Sequence, residues 1–387
     1  MNKQVVDTAR KLYPEIMDTV EFLSTTDRGT KDLPGLAKTA AYLTEQLKAL
    51  GCEITTHPDE EYGATLVGRK KGTGKTRVLL YAHMDTVWPA GTCAERPYHI
   101  EGDFAYGPGV SDCTHGIIAA LYSLKILNTL GIDNYGELII LFNPDEELTS
   151  PSSTEWLQHY ARQVDVAISL EGPETKGTYT TSRDGSVYYN INVAGKKAHA
   201  GVEPEKGANA LAELTYKLHD ILQNPIEGTY LCICWIKGGS GDCIVADNAW
   251  SMLRFKISDP NKKAEIDRLL ERVNQTTHVP GTTTTIEFWP EGGFLPMPRL
   301  PWMDGLCKLV EQIGDELDYP LKEENSGGGA DGASTAMIVP TLDGFGPLTY
   351  GCHTADERLD LTDIVPRISL LTLLLWHIGP DSSPYIK

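Results

Sequence analysis

Residues 79–89 read LLYAHMDTVWP, an apolar run that ends in His83 and, two places later, Asp85. Two further apolar runs, ELIILF at 137–142 and DVAISL at 165–170, are also followed by acidic residues. Stretches with a helical period separate these runs. Short, continuously apolar strands alternating with helices are typical of a mainly parallel sheet covered by helices on both faces. We therefore predict an α/β fold for the part of the chain that carries these strands.

The middle of the chain changes character. SVYYNINV at 186–193 alternates apolar and polar residues, and the order of patterns up to about residue 290 is β-α-β-β-α-β. This is the split βαβ, or ferredoxin-like, arrangement of one sheet with two helices on one face. We predict an inserted α+β domain at 182–290, and a first domain formed by 1–181 and 291–387.

Composition excludes several classes of protein. The net charge of −19 argues against nucleic acid or an anionic membrane as a partner. The N-terminal residues predict an amphipathic helix rather than a secretory leader, so we expect a cytoplasmic protein. The eight cysteines are scattered without a CxxC pair, which favours buried reduced thiols over a zinc knuckle or a disulfide framework.

The acidic residues and histidines fall where the predicted strands end. His83 follows the first run, Glu146 and Glu147 follow the second, and Glu171 follows the third. The carboxyl ends of the strands border the ligand crevice in open α/β sheets, so these groups should converge. Two more candidates are Asp112, which precedes a predicted helix, and His353, which lies in a late loop.

Each candidate has an ordinary structural explanation when it is taken alone. A single histidine after a strand is usually a turn residue, a glutamate pair is usually solvated, and an aspartate before a helix is usually an N-cap. Together, several carboxylates at one edge would repel each other unless a cation neutralised them. Histidine and carboxylate ligands without thiolates suit Zn²⁺, Mn²⁺ or Co²⁺. A shared aspartate between two such groups would build a hydrolytic centre with two metal ions.

The motifs themselves resemble those of the M20 metallopeptidase family, and within it the glutamate carboxypeptidase-like branch. The resemblance runs in order through nearly the whole chain. It is carried by HMDTVWP (83–89), YGPGVSD (106–112), NPDEELTSPSS (143–153), SLEGPE (169–174), AHAGVEPEKGANAL (198–211), GGGADG (327–332) and CHTADE (352–357). It implies a zinc-exopeptidase-like catalytic domain with an inserted lid and dimerisation domain.

The resemblance also implies a role for each matching residue. Two divalent ions, with Zn²⁺ first and Mn²⁺ or Co²⁺ as alternatives, would be held by His83 and Glu171, by Glu147 and His353, and by a bridging Asp112 that precedes a cis peptide bond. Glu146 would be the general base that activates a bridging water. Asp85 would orient His83.

His199, in the inserted domain, would stabilise the oxyanion from the partner subunit of a twofold symmetric homodimer. Closure of the lid would complete the site.

The chain departs from the family where the substrate is held. Arg183-Asp184-Gly185 stands where relatives commonly have Arg-Lys-Gly, and Cys243 replaces a common asparagine. Arg254 and Lys256 occupy the strand that usually carries Asp-x-Arg. A free carboxylate is held best by a bidentate arginine, so the altered set favours a substrate without one. The alternative is that Arg183, Arg254 or Lys256 forms the same grip in a shifted register.

Two further positions are candidates for substrate contacts. His115 lies close to Asp112 in sequence, although a surface position at a helix N-terminus is the more ordinary interpretation. Gly328, in the glycine run 327–329, would let backbone N–H groups approach the substrate.

Three functions remain open from the sequence. The first is cleavage of an amide bond in a small peptide, an N-acyl amino acid or a related small molecule. The second is hydrolysis of a non-peptide amide or aromatic amine derivative that lacks a free carboxylate. The third, a non-catalytic metal-binding relative, is disfavoured because Glu146 is present. Neither the fold nor the ligand set identifies the physiological substrate.

Overall fold

The computed structural model describes residues 1–386, with Glu291 described by its backbone alone. The chain divides into two compact units. Unit 1 comprises Met1–Arg183, Met297–Ser326 and the chain from Ala330 onward, and unit 2 comprises Asp184–Pro296 and Gly327–Gly329. Within the described residues, every helix is too short or too polar to cross a membrane.

The helices are α1 (Asn2–Ser24), α2 (Leu33–Ala49), α3 (Thr92–Glu95), α4 (His115–Thr129), α5 (Thr154–Ala161), α6 (Ala210–Leu222), α7 (Lys262–Gln275), α8 (Asp304–Glu316), α9 (Gly332–Ala336) and α10 (Ile364–Ile378). The strands are β1 (Glu53–Asp59), β2 (Gly63–Lys71), β3 (Arg77–His83), β4 (His99–Glu101), β5 (Phe104–Tyr106), β6 (Glu137–Asn143), β7 (Val166–Ser169), β8 (Thr178–Arg183), β9 (Gly185–Ala194), β10 (Thr229–Gly238), β11 (Asn248–Ile257), β12 (Thr283–Trp289), β13 (Lys322–Ser326), β14 (Thr341–Leu342), β15 (Thr349–Tyr350) and β16 (Arg358–Asp360).

The main sheet of unit 1 has the strand order β1-β2-β6-β3-β7-β14. The pairs β6/β3, β3/β7 and β7/β14 are parallel, whereas β1 and β2 form an antiparallel edge. Successive side chains of a strand point to opposite faces. In β3, Leu80 belongs to the core that includes α1, α4 and α10, and Leu79 belongs to the core that includes α5. Helices therefore cover both faces, which confirms the predicted α/β sheet; the antiparallel edge was not predicted.

Unit 2 contains the four-stranded antiparallel sheet β10-β11-β9-β12. Apolar residues of β9 and β11 share a core with α6 and α7, and the chain order β9-α6-β10-β11-α7-β12 is the predicted one. The first helix of this unit, α6, begins at Ala210. Asn209 caps it by accepting a hydrogen bond from the Ala212 N–H at 3.1 Å.

The cysteines are all free thiols, but they are not uniformly buried. Cys52, Cys113 and Cys307 are buried, while Cys243 and Cys352 are exposed. The prediction of reduced cysteines agrees with the structure. The prediction that they are buried is wrong for Cys243 and Cys352, because loops carry both residues to the surface.

Candidate metal centre

The ends of three neighbouring strands meet at one edge of the main sheet. His83 is the last residue of β3 and lies opposite Asn143, the last residue of β6. Glu146 and Glu147 begin a short 3₁₀ helix just beyond β6, and Glu171 follows β7. The parallel register therefore places these side chains at a common edge, as the sequence predicts.

Asp112 lies between the two histidines. Its Oδ1 is 2.8 Å from Nε2 of His83, and its Oδ2 is 3.2 Å from Nε2 of His353. The peptide bond from Asp112 to Cys113 is cis, in agreement with the prediction. One carboxylate thus presents one oxygen to each histidine, which is the arrangement expected of a group shared by two cations.

Two ligand groups surround that aspartate. In the first, Nε2 of His83 is 3.7 Å from Oε1 of Glu171; in the second, Nε2 of His353 is 3.1 Å from Oε2 of Glu147. Within each group, together with Asp112, the possible ligand atoms lie within 4.8 Å of one another. The structure therefore brings together the five predicted ligands in the predicted two sets.

Cys113 also falls within the first group by distance, although no sequence pattern predicts it as a ligand. Its thiol is fully buried and lies 3.8 Å from the carbonyl oxygen of Leu170, to which it can donate. Burial and the charge of Glu171 raise the pKa of the Cys113 thiol. Because the thiolate is the form that binds metals, Cys113 is a poor ligand beside the carboxylates.

The electrostatics of the two groups fit divalent cations. Burial and the charge of Asp112 raise the pKa of Glu171 to about 8 and the pKa of Glu147 to about 7. Among the described residues, Oε1 of Glu147 is one of the buried polar atoms that lack a hydrogen-bond partner. A buried carboxylate oxygen without a donor is costly unless a cation takes it. Nitrogen and oxygen donors of this kind suit zinc, manganese or cobalt.

Asp85 ties the ligands to the loop that carries the glutamates. Its side chain is fully buried, and Oδ1 accepts hydrogen bonds from Nδ1 of His83 at 3.2 Å and from the Glu146 N–H at 3.1 Å. Oδ2 accepts from the Glu147 N–H at 3.2 Å and from Oγ1 of Thr30 at 2.6 Å. With the proton fixed on Nδ1, Nε2 of His83 keeps its lone pair free for a metal.

Glu146 belongs to neither ligand group. Its side chain is only 9% exposed, and burial raises its pKa well above the usual value for glutamate. The hydrogen bonds from the backbone N–H groups of Glu146 and Glu147 to Asp85 hold the two neighbours at fixed positions. Glu147 thereby faces Asp112 and His353, while Glu146 lies outside both ligand groups.

A buried polar network supports the same loop from behind, and sequence reasoning missed it. Nδ2 of Asn143 donates to Oδ2 of Asp331 at 2.7 Å, and Oγ of Ser150 donates to Oδ1 of Asp331 at 2.5 Å. Oγ of Ser153 donates to Asp145. Because Asp145 directly precedes Glu146, the network fixes both ends of the segment that carries the two glutamates.

Arg28 is a second supporting residue that the sequence did not reveal. It is 1% exposed, and its guanidinium donates to the carbonyl oxygen of Met84 at 2.7 Å, to that of Gly109 at 2.9 Å and to Oγ1 of Thr114 at 2.7 Å. Met84 directly follows His83 in the chain, and Gly109 and Thr114 lie on either side of Asp112. Arg28 therefore joins the β3 end to the segment that carries Asp112.

The predicted substrate contacts have partners of their own. Nε of Arg183 donates to Oδ2 of Asp343 at 2.5 Å, and the Arg183 side chain is buried within unit 1. In unit 2, Nζ of Lys256 lies 2.8 Å from Oδ2 of Asp184, and Nε of Arg254 donates to Ser186 at 3.0 Å. The negative charge of Asp184 is thus compensated locally by Lys256.

His115 corrects one expectation. It is 1% exposed rather than a surface residue at the start of α4, and burial lowers its pKa to about 4. The chain at Gly346 approaches so closely that an added Cβ would lie 2.1 Å from the His115 ring. The surface interpretation of His115 is therefore wrong, while its contact with a substrate stays a prediction.

The remaining candidates lie in unit 2. Gly328 and Cys243 are exposed. His199 is exposed as well, and its Nδ1 accepts a hydrogen bond from the Gly201 N–H at 3.1 Å. In the neutral ring the proton therefore sits on Nε2.

Known proteins match the chain over most of its length. The family model described as peptidase family M20/M25/M40 matches residues 79–377. Carboxypeptidase G2 from Pseudomonas sp. (strain RS-16) is 30% identical over 381 residues, which cover 95% of this chain and 90% of that protein. A succinyl-diaminopimelate desuccinylase from Bordetella parapertussis is 24% identical, over 84% of this chain and 88% of that protein.

The fold has counterparts among solved structures. The aminopeptidase PepT from Bacillus cereus superposes with a TM-score of 0.76, at 19% identity, over 95% of this chain and 98% of that chain. At this level of identity the likeness concerns the fold, and activity has to be argued from the site.

Proposed function

We propose that this chain, which belongs to peptidase family M20/M25/M40 and is a hydrolytic enzyme, cleaves a C–N amide bond with two bound divalent ions. The substrate would be a small peptide, an N-acyl amino acid or a related small molecule. One observation carries the proposal: Asp112 is shared by two groups of ligand residues, and the Glu146 carboxylate stands apart from both groups.

The ligands divide into two sets. His83 and Glu171 would hold one ion, Glu147 and His353 would hold the other, and Asp112 would bind both. When bound, such ions polarise the scissile carbonyl and make water a stronger nucleophile near neutral pH. Zn²⁺ is the first choice, with Mn²⁺ and Co²⁺ as alternatives.

Glu146 would act as general base and then as general acid. It takes a proton from the attacking water while the water oxygen bonds to the carbonyl carbon. It then delivers that proton to the amide nitrogen as the C–N bond breaks. Burial favours this role, because it raises the pKa of Glu146 toward the range in which a carboxylate both accepts and returns a proton.

His199 would stabilise the negative charge that develops on the carbonyl oxygen. The hydrogen bond from Gly201 to Nδ1 leaves Nε2 as the donor, which is the form that an oxyanion requires. We place this donor in the partner subunit of a homodimer. The second unit has an edge strand, β10, whose side chains Tyr230, Trp235 and Ile236 are 69%, 57% and 55% exposed. Apolar groups on an open strand edge are typical of an interface.

A second candidate function concerns the substrate. Arg183 is paired with Asp343, Lys256 with Asp184, and Arg254 with Ser186. At Arg183 and Lys256 a substrate carboxylate would compete with Asp343 and Asp184, whereas the bond to Ser186 engages only Nε of Arg254. This observation favours a neutral amide or an arylamine derivative as the alternative substrate, within the same reaction. The net charge of −19 supports a small molecule, rather than nucleic acid or a membrane, as the binding partner. The cytoplasmic location stays a prediction.

A turnover screen of the protein loaded with Zn²⁺, Mn²⁺ or Co²⁺ tests the proposal. The screen compares N-acyl amino acids with their neutral amide and arylamine analogues, matched in size. Hydrolysis of the acids alone would show that a carboxylate grip forms on binding. Better cleavage of the neutral compounds would support the second candidate. Failure to hydrolyse either set with any ion would contradict the proposed function.

A further inference from the structure

A cavity of about 490 Å³ opens beside the candidate metal centre in unit 1. One wall is Glu147, a ligand of the second group, together with the next residue, Leu148. The opposite walls come from the segment after β3, residues 86–90, and from the turn 29–32 before α2. Because a metal ligand lines it, a substrate amide held at the centre would direct one of its flanking groups into this cavity.

The side chains that face the cavity are largely apolar. Val87 and Leu148 are each 40% exposed and both line this cavity, so together they form one exposed apolar patch. Trp88 and Pro89 complete this side of the lining. The guanidinium of Arg96 lies 3.8 Å from the centre of the Trp88 ring and fixes that ring in place.

Three charged or polar residues of the lining, Lys31, Asp32 and Thr30, are engaged in contacts of their own. Nζ of Lys31 is 2.5 Å from Oε1 of Glu61, and Asp32 accepts the Gly35 N–H at 3.3 Å as the cap of α2. Thr30 donates to Asp85 at 2.6 Å. The cavity therefore presents an apolar surface with compensated charges, which suits an uncharged group. A carboxylate bound there would lose its hydration without gaining a compensating partner.

We propose that this cavity is a subsite that binds a neutral, apolar group flanking the scissile amide. The inference rests on the proposed function and narrows its substrate class. Apolar groups of the substrate gain affinity by covering Val87 and Leu148, whereas charged or small groups do not. Specificity would then reside in the segment after β3 and in Leu148, close to the reacting bond.

A binding measurement tests this inference separately from the proposed function, which is tested by hydrolysis. In a Glu146→Gln background, which binds without turnover, isothermal titration calorimetry would compare two series of amides. One series increases the acyl group from acetyl to hexanoyl and benzoyl, and the other increases the amine group in the same way. We expect affinity to rise about tenfold or more along one series, and Leu148→Ser to remove about tenfold of that gain.

The control is Ile100→Ser, another exposed apolar residue of unit 1, which lies outside the cavity lining. This substitution should leave the affinities of both amide series unchanged. Equal affinities along both series, or a gain that survives Leu148→Ser, would overturn the subsite. Hydrolysis of the same compounds by the unmodified enzyme is scored separately. Graded binding without any hydrolysis would keep the subsite and reject the proposed function.

Discussion

Replacement of Asp85 by asparagine should weaken metal binding without altering a single ligand. The buried carboxylate accepts from His83, from the N–H groups of Glu146 and Glu147, and from Thr30. Asparagine keeps one oxygen and puts an NH₂ group in place of the other. The Thr30 hydroxyl can rotate to accept from that NH₂, so the amide should turn its oxygen toward His83.

The resulting loss falls on two interactions. The Glu147 N–H then faces an NH₂ group instead of an oxygen, and His83 loses the charge behind its Nδ1 proton. A hydrogen bond to a charged group contributes about 1.5–3 kcal/mol. Changes behind a metal ligand typically reduce affinity about 10- to 100-fold, which corresponds to roughly 1.4–2.7 kcal/mol. We therefore expect Asp85→Asn to weaken Zn²⁺ binding within that range.

Competition with a fluorescent zinc chelator measures this affinity directly. Asp318→Asn provides a matched control, because Asp318 is exposed and has φ = 53°, a conformation that asparagine also accepts. The control should bind Zn²⁺ as the unmodified protein does. Unchanged affinity in Asp85→Asn, with the fold intact by circular dichroism, would refute the reasoning that Asp85 sets the orientation and basicity of His83.

Three further results are expected. Arg28→Ala removes a buried donor to five acceptors and should lower the free energy of unfolding by roughly 3 kcal/mol in urea titrations. A loss no larger than that of the exposed control Arg10→Ala would contradict this. Trp235→Lys should convert a dimer to monomers in analytical ultracentrifugation, and a monomeric unmodified protein would reject the proposed interface. Chelation should lower the melting temperature in calorimetry, because bound ions at about 100 Kd contribute about 2.7 kcal/mol; an unchanged melting temperature would show that no ions were bound.

Much of the fold and the ligand set follows from local patterns in the sequence. Continuous apolar runs predicted β3, β6 and β7, and their parallel register brings His83, Glu147 and Glu171 to one edge. The roles of Asp112 and His353 came from the resemblance of their motifs to a known family. Periodicity alone places neither residue beside the other ligands.

The supporting contacts could not be predicted, because each joins residues far apart in the chain. Asp331 meets Asn143 across 188 positions, and Arg28 meets Thr114 across 86. No local pattern marks an arginine in a turn as a buried donor. His115 shows the opposite error: its position at a helix N-terminus suggested the surface, whereas the approach of Gly346 buries it.

The central claim is that this chain holds two metal ions beside a general base that is not itself a ligand. Metal content and turnover, measured together on the unmodified enzyme and on Glu146→Gln, test it most directly. The account predicts two ions per chain in both proteins and a loss of turnover of about 10²- to 10⁴-fold in the variant. Turnover that persists in Glu146→Gln, or a single ion in the unmodified enzyme, would contradict it.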